Sequence, residues 1–163
     1  MTSQRASRRR TLKIAAGAAA AVAVARAAEA ATPDVVGVWK LAGGSTTDPS
    51  GKPLGVPYGP RGMGLVSLTA DGRMMAVLVD GRARLPDGAK REYSSYCGNY
   101  TFDGSTLITT VDAASDPARM GSRQVRKVRF EGERMILVPP EREEGGVKLH
   151  RELAWERISA VPL

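Results

Sequence analysis

Cysteine and histidine are almost absent from this chain of 163 residues, which contains one of each, Cys97 and His150. A single cysteine excludes an intramolecular disulfide, and one residue of each kind excludes a metal site made only of cysteine and histidine ligands. The phosphate-binding loop, the dinucleotide fingerprint and the nucleophile elbow of hydrolases are also missing. The sequence therefore predicts no metal, no cofactor and no assignable catalytic residue.

A long hydrophobic run is missing too. Residues 14–25 carry no charge but are mostly alanine, and they are too few to span a bilayer, which needs roughly 20 apolar residues. They follow the basic segment Arg8-Arg9-Arg10 and precede Ala28-Glu29-Ala30, whose small residues are typical of a signal peptidase site. This pattern predicts a signal peptide over residues 1–30 that resembles a twin-arginine signal, with the general secretory route left open. We expect a mature domain of residues 31–163 that is periplasmic or secreted and keeps no membrane span.

An excess of positive charge is missing from that mature domain. The whole chain has 24 basic and 17 acidic residues, a net charge of +7. Six of the basic residues and one acidic residue lie in residues 1–30, which leaves 18 and 16 in the remainder. Binding to nucleic acid requires a basic surface. We therefore predict no nucleic-acid partner.

Alternation of apolar and polar residues runs through the rest of the chain and predicts strands. Eight segments show it: residues 35–41, 63–69, 73–79, 93–102, 106–111, 123–130, 134–138 and 147–158. Asp71-Gly72 and Asp103-Gly104 lie between neighbouring segments, and such pairs favour the type I′ turns of hairpins. Residues 43–62 are rich in glycine, proline and serine, and we interpret them as a loop over one end of the structure. Eight antiparallel strands joined by hairpins favour an up-and-down β-barrel, with a β-sandwich as the alternative.

Six segments spread through this region resemble those of the bacterial and fungal lipocalin-like domain family. They are residues 36–41, 58–66, 69–74, 96–100, 124–126 and 155–157. The resemblance implies an all-β, eight-stranded calyx, but it implies no particular reaction, because folds of this shape serve many functions. It also implies that Trp39 packs across the closed end of the barrel, beside Trp155, with the guanidinium of Arg157 on its face.

The candidate ligand-binding residues are polar or adaptable side chains on strand faces that we expect to point inward. Tyr96 and Tyr100 flank Gly98, whose missing side chain would leave space between them. Gln124 and Arg126 share a face with the apolar Val128 and Phe130, which places them inside. Met75 is the adaptable apolar candidate. Each residue has a structural alternative: Arg126 at the rim, the tyrosines in the core and the methionine as core filling. We expect His150 on the outer, charged face of the last strand.

Three functions are compatible with these residues. The first is an exported barrel that binds a small, mostly apolar molecule, hydrophobic or amphipathic, whose polar end faces Arg126 and the tyrosines. The second is a barrel with a packed core that binds a partner protein or serves a structural role. The third is a cofactor-free cyclase or isomerase with Tyr96 or Tyr100 as the acid and Arg126 as the electrostatic stabiliser. The sequence favours binding over catalysis.

Overall fold

Ten β-strands and one 3₁₀ turn make up residues 34–159, the part of the chain that the computed structural model describes. The strands are β1 (Gly37–Thr47), β2 (Pro53–Gly55), β3 (Gly62–Leu68), β4 (Arg73–Asp80), β5 (Tyr93–Phe102), β6 (Thr106–Ala114), β7 (Arg123–Glu131), β8 (Arg134–Val138), β9 (Arg142–Glu144) and β10 (Val147–Ser159). The 3₁₀ turn is Pro117–Arg119. The predicted signal peptide, residues 1–30, lies outside the described residues. Within residues 34–159 no helix is long and apolar enough to cross a membrane.

Eight of these strands close into a barrel. Each pairs with the next in the order β1, β3, β4, β5, β6, β7, β8, β10, and β10 then pairs with β1, antiparallel throughout. Closure satisfies the backbone hydrogen bonds of both edges that an open sheet would leave exposed. The predicted all-β, eight-stranded antiparallel barrel is therefore confirmed, and the β-sandwich alternative is wrong.

The prediction that residues 43–62 form no regular element is wrong in part. β1 continues to Thr47, and β2 pairs with its end. A register shift between Leu41 and Gly43 allows this glycine-rich stretch to keep pairing with β10. A Cβ atom on Gly44 would lie 2.9 Å from the carbonyl oxygen of Glu152, so the glycine permits the close approach of the two strands. β9 is a second short strand that the sequence did not reveal.

The two ends of the barrel differ because strands alternate in direction. Long connections lie at one end, which we call the mouth: residues 48–61, 81–92, 115–122 and 139–146. Short turns lie at the other end, which we call the base: residues 69–72, 103–105 and 132–133. In the first of these turns Gly72 alone has a positive φ, of 83°, and its N–H donates to the carbonyl of Thr69 at 3.1 Å. This is a type I turn followed by a left-handed glycine rather than the predicted type I′ turn.

The base is sealed by Trp39, whose side chain is 1% exposed. Its indole Nε1 donates to the carbonyl of Val35 at 2.9 Å. The guanidinium carbon of Arg157 lies 4.2 Å from the centroid of the indole, and the same guanidinium donates to the carbonyl oxygens of Val36 and Asp34. Burying an indole removes about 200 Å² from water, which stabilises the fold by about 5 kcal/mol. The implied arrangement of Trp39 and Arg157 is thus what the structure shows.

Candidate functional site

Within residues 34–159 the barrel interior holds a cavity of about 50 Å³ that reaches from Val66 and Met74, near the base, to Tyr58 and Arg119 at the mouth. Leucine, valine, methionine and alanine side chains form the apolar part of its lining. The polar, charged and aromatic side chains that line it are Tyr58, Ser94, Tyr96, Arg119, Arg126 and Trp155. A buried water needs roughly 10–15 Å³ of such volume, so the cavity has room for about three or four waters. Drug-sized ligands occupy roughly 300–1,000 Å³. This cavity is therefore too small for a ligand of that size unless side chains move.

Arg126 lies on β7 and faces this cavity, as the alternation with Val128 predicted. Its Nη1 donates to the carbonyl of Val125 at 2.6 Å, and its Nη2 lies 3.4 Å from Oε1 of Gln124. No carboxylate among residues 34–159 lies within 4 Å of its guanidinium. A half-buried cation is costly without acceptors for its donors. Among the described residues, the acceptors for the Arg126 guanidinium are two neutral oxygens, the Val125 carbonyl and Oε1 of Gln124.

Gln124 lies one step nearer the mouth on the same strand. Its amide nitrogen donates to the hydroxyl of Ser122 at 2.9 Å, and its oxygen faces Arg126. Gln124 therefore orients Arg126 from the rim and is absent from the lining of the cavity.

Arg119 is a second interior cation, and the sequence did not reveal it. The 3₁₀ turn that carries it is stabilised by Asp116, whose carboxylate accepts from the N–H of Ala118 at 3.0 Å. From there Nη1 of Arg119 donates to the hydroxyl of Ser94 at 3.0 Å. Its guanidinium carbon lies 5.4 Å from the centroid of the Tyr96 ring. A residue in an irregular connection has no alternation from which its direction could be predicted.

Tyr58 closes the cavity from the mouth side. It is the only residue other than glycine with a positive φ, 63°, among those described. Its N–H donates to Oε2 of Glu92 at 2.6 Å, and its half-buried side chain packs against the core. Burial raises the pKa of its phenol, an effect opposed by a hydrogen bond with Ser94 and by the charge of Arg119. In the sequence Tyr58 stood out only as part of the family resemblance.

The two tyrosines of β5 do not meet at one point. Tyr96 lines the cavity, whereas the hydroxyl of Tyr100 donates to the carbonyl of Thr69 in a turn at the base, at 2.9 Å. Burial raises the pKa of Tyr100. Nor does Gly98 leave space between them, because a Cβ there would lie 1.9 Å from the carbonyl oxygen of Thr110. That position is filled by the backbone of β6.

Met75 lies on the outside of the barrel, 60% exposed, so its predicted place in the interior is wrong. Its neighbours on β4, Met74 and Ala76, are each 3% exposed and line the cavity instead. Side chains along a strand alternate between faces, so an error of one residue moves a candidate from the inside to the outside.

His150 lies on the outer face, as predicted. Its Nε2 is 3.1 Å from Oε1 of Glu152, and Arg129 holds the same carboxylate with two hydrogen bonds of 2.7 and 2.9 Å. Among the residues described, no group of three or more histidine, cysteine, aspartate or glutamate side chains is arranged to hold a metal ion.

Trp155 has a second role besides the one implied at the base. Its indole is 1% exposed and lines the cavity from the half of β10 nearer the base. Its Nε1 is buried and has no hydrogen-bond acceptor within residues 34–159. Nε of Arg151, four residues nearer the mouth on β10 and outside the cavity lining, is also buried without an acceptor among residues 34–159. Unsatisfied buried donors cost roughly 1–3 kcal/mol each, so Trp155 leaves the cavity lining short of one acceptor.

The sequence model of the lipocalin-like domain family matches residues 36–158 of this chain. No curated protein and no solved structure matches this chain.

Proposed function

Because this chain belongs to the lipocalin-like domain family, whose barrel fold is suited to holding a small molecule, we propose that it binds one small, mostly apolar ligand with a polar end. The ligand lies in the half of the interior nearest the mouth. Its polar end faces Arg126, and its apolar body contacts Leu78, Leu137 and Leu153.

The observation that carries this proposal is the pairing of Arg126. A guanidinium has five N–H donors, and among residues 34–159 this one is engaged only by the carbonyl of Val125 and the amide of Gln124. Within residues 34–159 no carboxylate neutralises it. A ligand oxygen supplies the missing acceptors, since bonds to a charged donor are roughly twice as strong as those between neutral groups.

We further propose that binding takes place after export, in the periplasm or outside the cell. The support is the pattern of residues 1–30, where consecutive arginines precede an uncharged run and a small-residue cleavage motif. Detection of a shortened protein in the periplasmic fraction or the medium tests this, whereas an intact protein in the cytoplasm contradicts it.

Calorimetric titration with a series of apolar carboxylates of increasing size tests the binding proposal. We expect at least one to bind the unaltered protein, and Arg126→Met to weaken that binding about tenfold or more, because a charged hydrogen bond contributes roughly 1.5–3 kcal/mol. Arg123→Met is the matched control, since Arg123 lies on the same strand and is exposed. Absence of binding throughout the series, or equal binding by Arg126→Met, contradicts the proposal.

A second candidate is a barrel that pairs with another copy of itself, and the outer face of β3, β4 and β5 favours it. Five large apolar side chains are between 38% and 60% exposed there: Met63, Leu65, Met75, Val77 and Tyr93. Beside this ridge runs a groove of about 470 Å³ floored by small residues, among them Ser95, Cys97 and Ala113. If two copies are related by a two-fold axis, the ridge formed by these five side chains on each copy can fill the groove of the other copy.

Sedimentation velocity over a range of concentrations tests this second candidate. We expect a dimer that Met75→Lys converts to a monomer without a loss of thermal stability. A monomer at all concentrations contradicts it. Of the two candidate acids of the cyclase or isomerase alternative, Tyr100 is engaged at the base through its hydroxyl, whereas Tyr96 lines the cavity with Arg126.

A further inference from the structure

Tyr58 occupies the space that a ligand would need. The turn from Val56 to Gly59 is closed by the Gly59 N–H, which donates to the Val56 carbonyl at 3.0 Å. Proline is its second residue and Tyr58, at φ 63°, its third, the arrangement of a type II turn. Glycine or asparagine is normal at that third position because a side chain there costs roughly 1–2 kcal/mol. The chain keeps a tyrosine in a conformation that favours glycine.

The compensation for this strain lies in the interior. The Tyr58 side chain packs against the core cluster and lines the cavity with Tyr96 and Trp155. Its phenol lies near the hydroxyl of Ser94 and the guanidinium of Arg119. The site that the Tyr58 side chain fills therefore suits an aromatic ring that carries a polar substituent.

The groups around that ring are short of negative charge. Arg119 and Arg126 both face the cavity, and neither has a carboxylate within 4 Å in the described part of the chain. Nε1 of Trp155 is a buried donor that finds no acceptor among residues 34–159. A carboxylate offers about four acceptor positions and pairs well with guanidinium groups. A neutral ligand would leave both cations uncompensated.

We propose that the natural ligand is a compact aryl carboxylate that displaces the Tyr58 ring and places its carboxylate between Arg119 and Arg126. This inference rests on the proposed function and names the ligand class of that same site. The volume freed by the phenol ring adds to the 50 Å³ already present. The combined volume suits one aromatic ring and excludes a long alkyl chain. The faces of Tyr96 and Trp155, together with the flat guanidinium of Arg119, provide the stacking surfaces.

Calorimetric titration with three probes tests the class: benzoate, benzyl alcohol and octanoate. Benzyl alcohol keeps the ring and removes the charge, whereas octanoate keeps the charge and removes the ring. We expect benzoate to bind about tenfold or more tightly than either, since its carboxylate gains charged hydrogen bonds and its ring fills the site of Tyr58. Arg119→Met should lose more affinity for benzoate than for benzyl alcohol, and so reduce the preference for benzoate, because only benzoate has a charge for Arg119 to compensate.

Two substitutions at position 58 test displacement. Tyr58→Gly removes the competing ring and suits the positive φ, so benzoate should bind about tenfold more tightly than to the unaltered protein. Tyr58→Phe is the matched control that keeps a ring in place, and its affinity should stay near that of the unaltered protein. If Tyr58→Gly does not fold, Tyr58→Asn replaces it, because asparagine tolerates this backbone conformation.

The outcomes separate this inference from the proposed function. Tighter binding of octanoate or benzyl alcohol than of benzoate overturns the inference and leaves an apolar ligand site standing. If Tyr58→Gly binds benzoate no more tightly than the unaltered protein does, the ligand does not displace the Tyr58 ring. An equal gain in affinity for benzoate in Tyr58→Gly and Tyr58→Phe refutes displacement as well. If no probe binds any variant, the proposed function falls as well.

Discussion

Replacing Gly98 by alanine should destabilise the barrel, and the structure indicates by how much. A Cβ atom at this position would lie 1.9 Å from the carbonyl oxygen of Thr110, 2.8 Å from its carbonyl carbon and 3.1 Å from Cα of Val111. All three atoms belong to the backbone of β6. The pairing of β5 with β6 shifts register between Cys97 and Gly98, so the glycine sits where the two strands approach most closely.

The size of the effect follows from what must move. Relieving the contact requires the Thr110 carbonyl to retreat by about 1 Å or more, which breaks one or two backbone hydrogen bonds worth roughly 1 kcal/mol each. Overpacking adds roughly 1–3 kcal/mol. We expect Gly98→Ala to lower the free energy of unfolding by about 3 kcal/mol, a large part of the roughly 5–15 kcal/mol of a typical domain.

Urea unfolding followed by circular dichroism measures this change, with Gly43→Ala as the matched control. Gly43 also lies in a strand, but nothing is within 4 Å of its Cβ position, so alanine there should be neutral or stabilise by up to roughly 1 kcal/mol. If Gly98 provided room for a ligand, alanine would be accommodated there too. Free energies of the two variants within about 0.5 kcal/mol of each other would therefore refute the reasoning.

Two further substitutions probe the base and the mouth. Arg157→Met removes the cation–π contact with Trp39 and the hydrogen bonds to the Asp34 and Val36 carbonyls, and should cost about 2–3 kcal/mol in urea unfolding. Arg134→Met, which removes only an exposed ion pair, should cost less than about 1 kcal/mol, and equal losses would contradict the role of Arg157. Hydrogen bonds from Arg82 lower the pKa of Asp80, so its contribution to stability is present at neutral pH and is lost as the pH falls through that lowered pKa. The stability gap between the unaltered protein and Asp80→Asn should therefore close on acidification, and a gap independent of pH would contradict this account.

The strands of the barrel could be predicted because their signals are local. Alternating burial and turn residues are encoded within about ten consecutive residues, and they placed all eight barrel strands. The extension of β1 to Thr47 could not be predicted, since residues 43–47 contain no alternation. They form a strand because β10 lies beside them, and that partner is more than 100 residues away in sequence.

The interior residues could be predicted only where the two faces of a strand differ in polarity. On β7 the apolar Val128 distinguishes the inner face, so Arg126 was placed correctly. On β4 both faces are apolar, because Met75 and Val77 lie on the exposed ridge while Met74 and Ala76 lie inside. The sequence therefore showed that residues of β4 alternate between two faces, but it did not show which face points inward. Arg119 and Tyr58 were missed for another reason: they come from connections, whose course is set by tertiary contacts.

The base and the cavity of the barrel differ in how well their polar groups are satisfied. At the base, Trp39 and Arg157 satisfy their donors with backbone carbonyls, and the turns there are short. The cavity lining instead combines a buried donor that lacks an acceptor within residues 34–159, on Trp155, with the strained backbone of Tyr58. Strain and unsatisfied donors lower stability, so a ligand that corrects both gains binding energy from the same features. A ligand in the cavity should therefore raise the resistance of the whole barrel to unfolding.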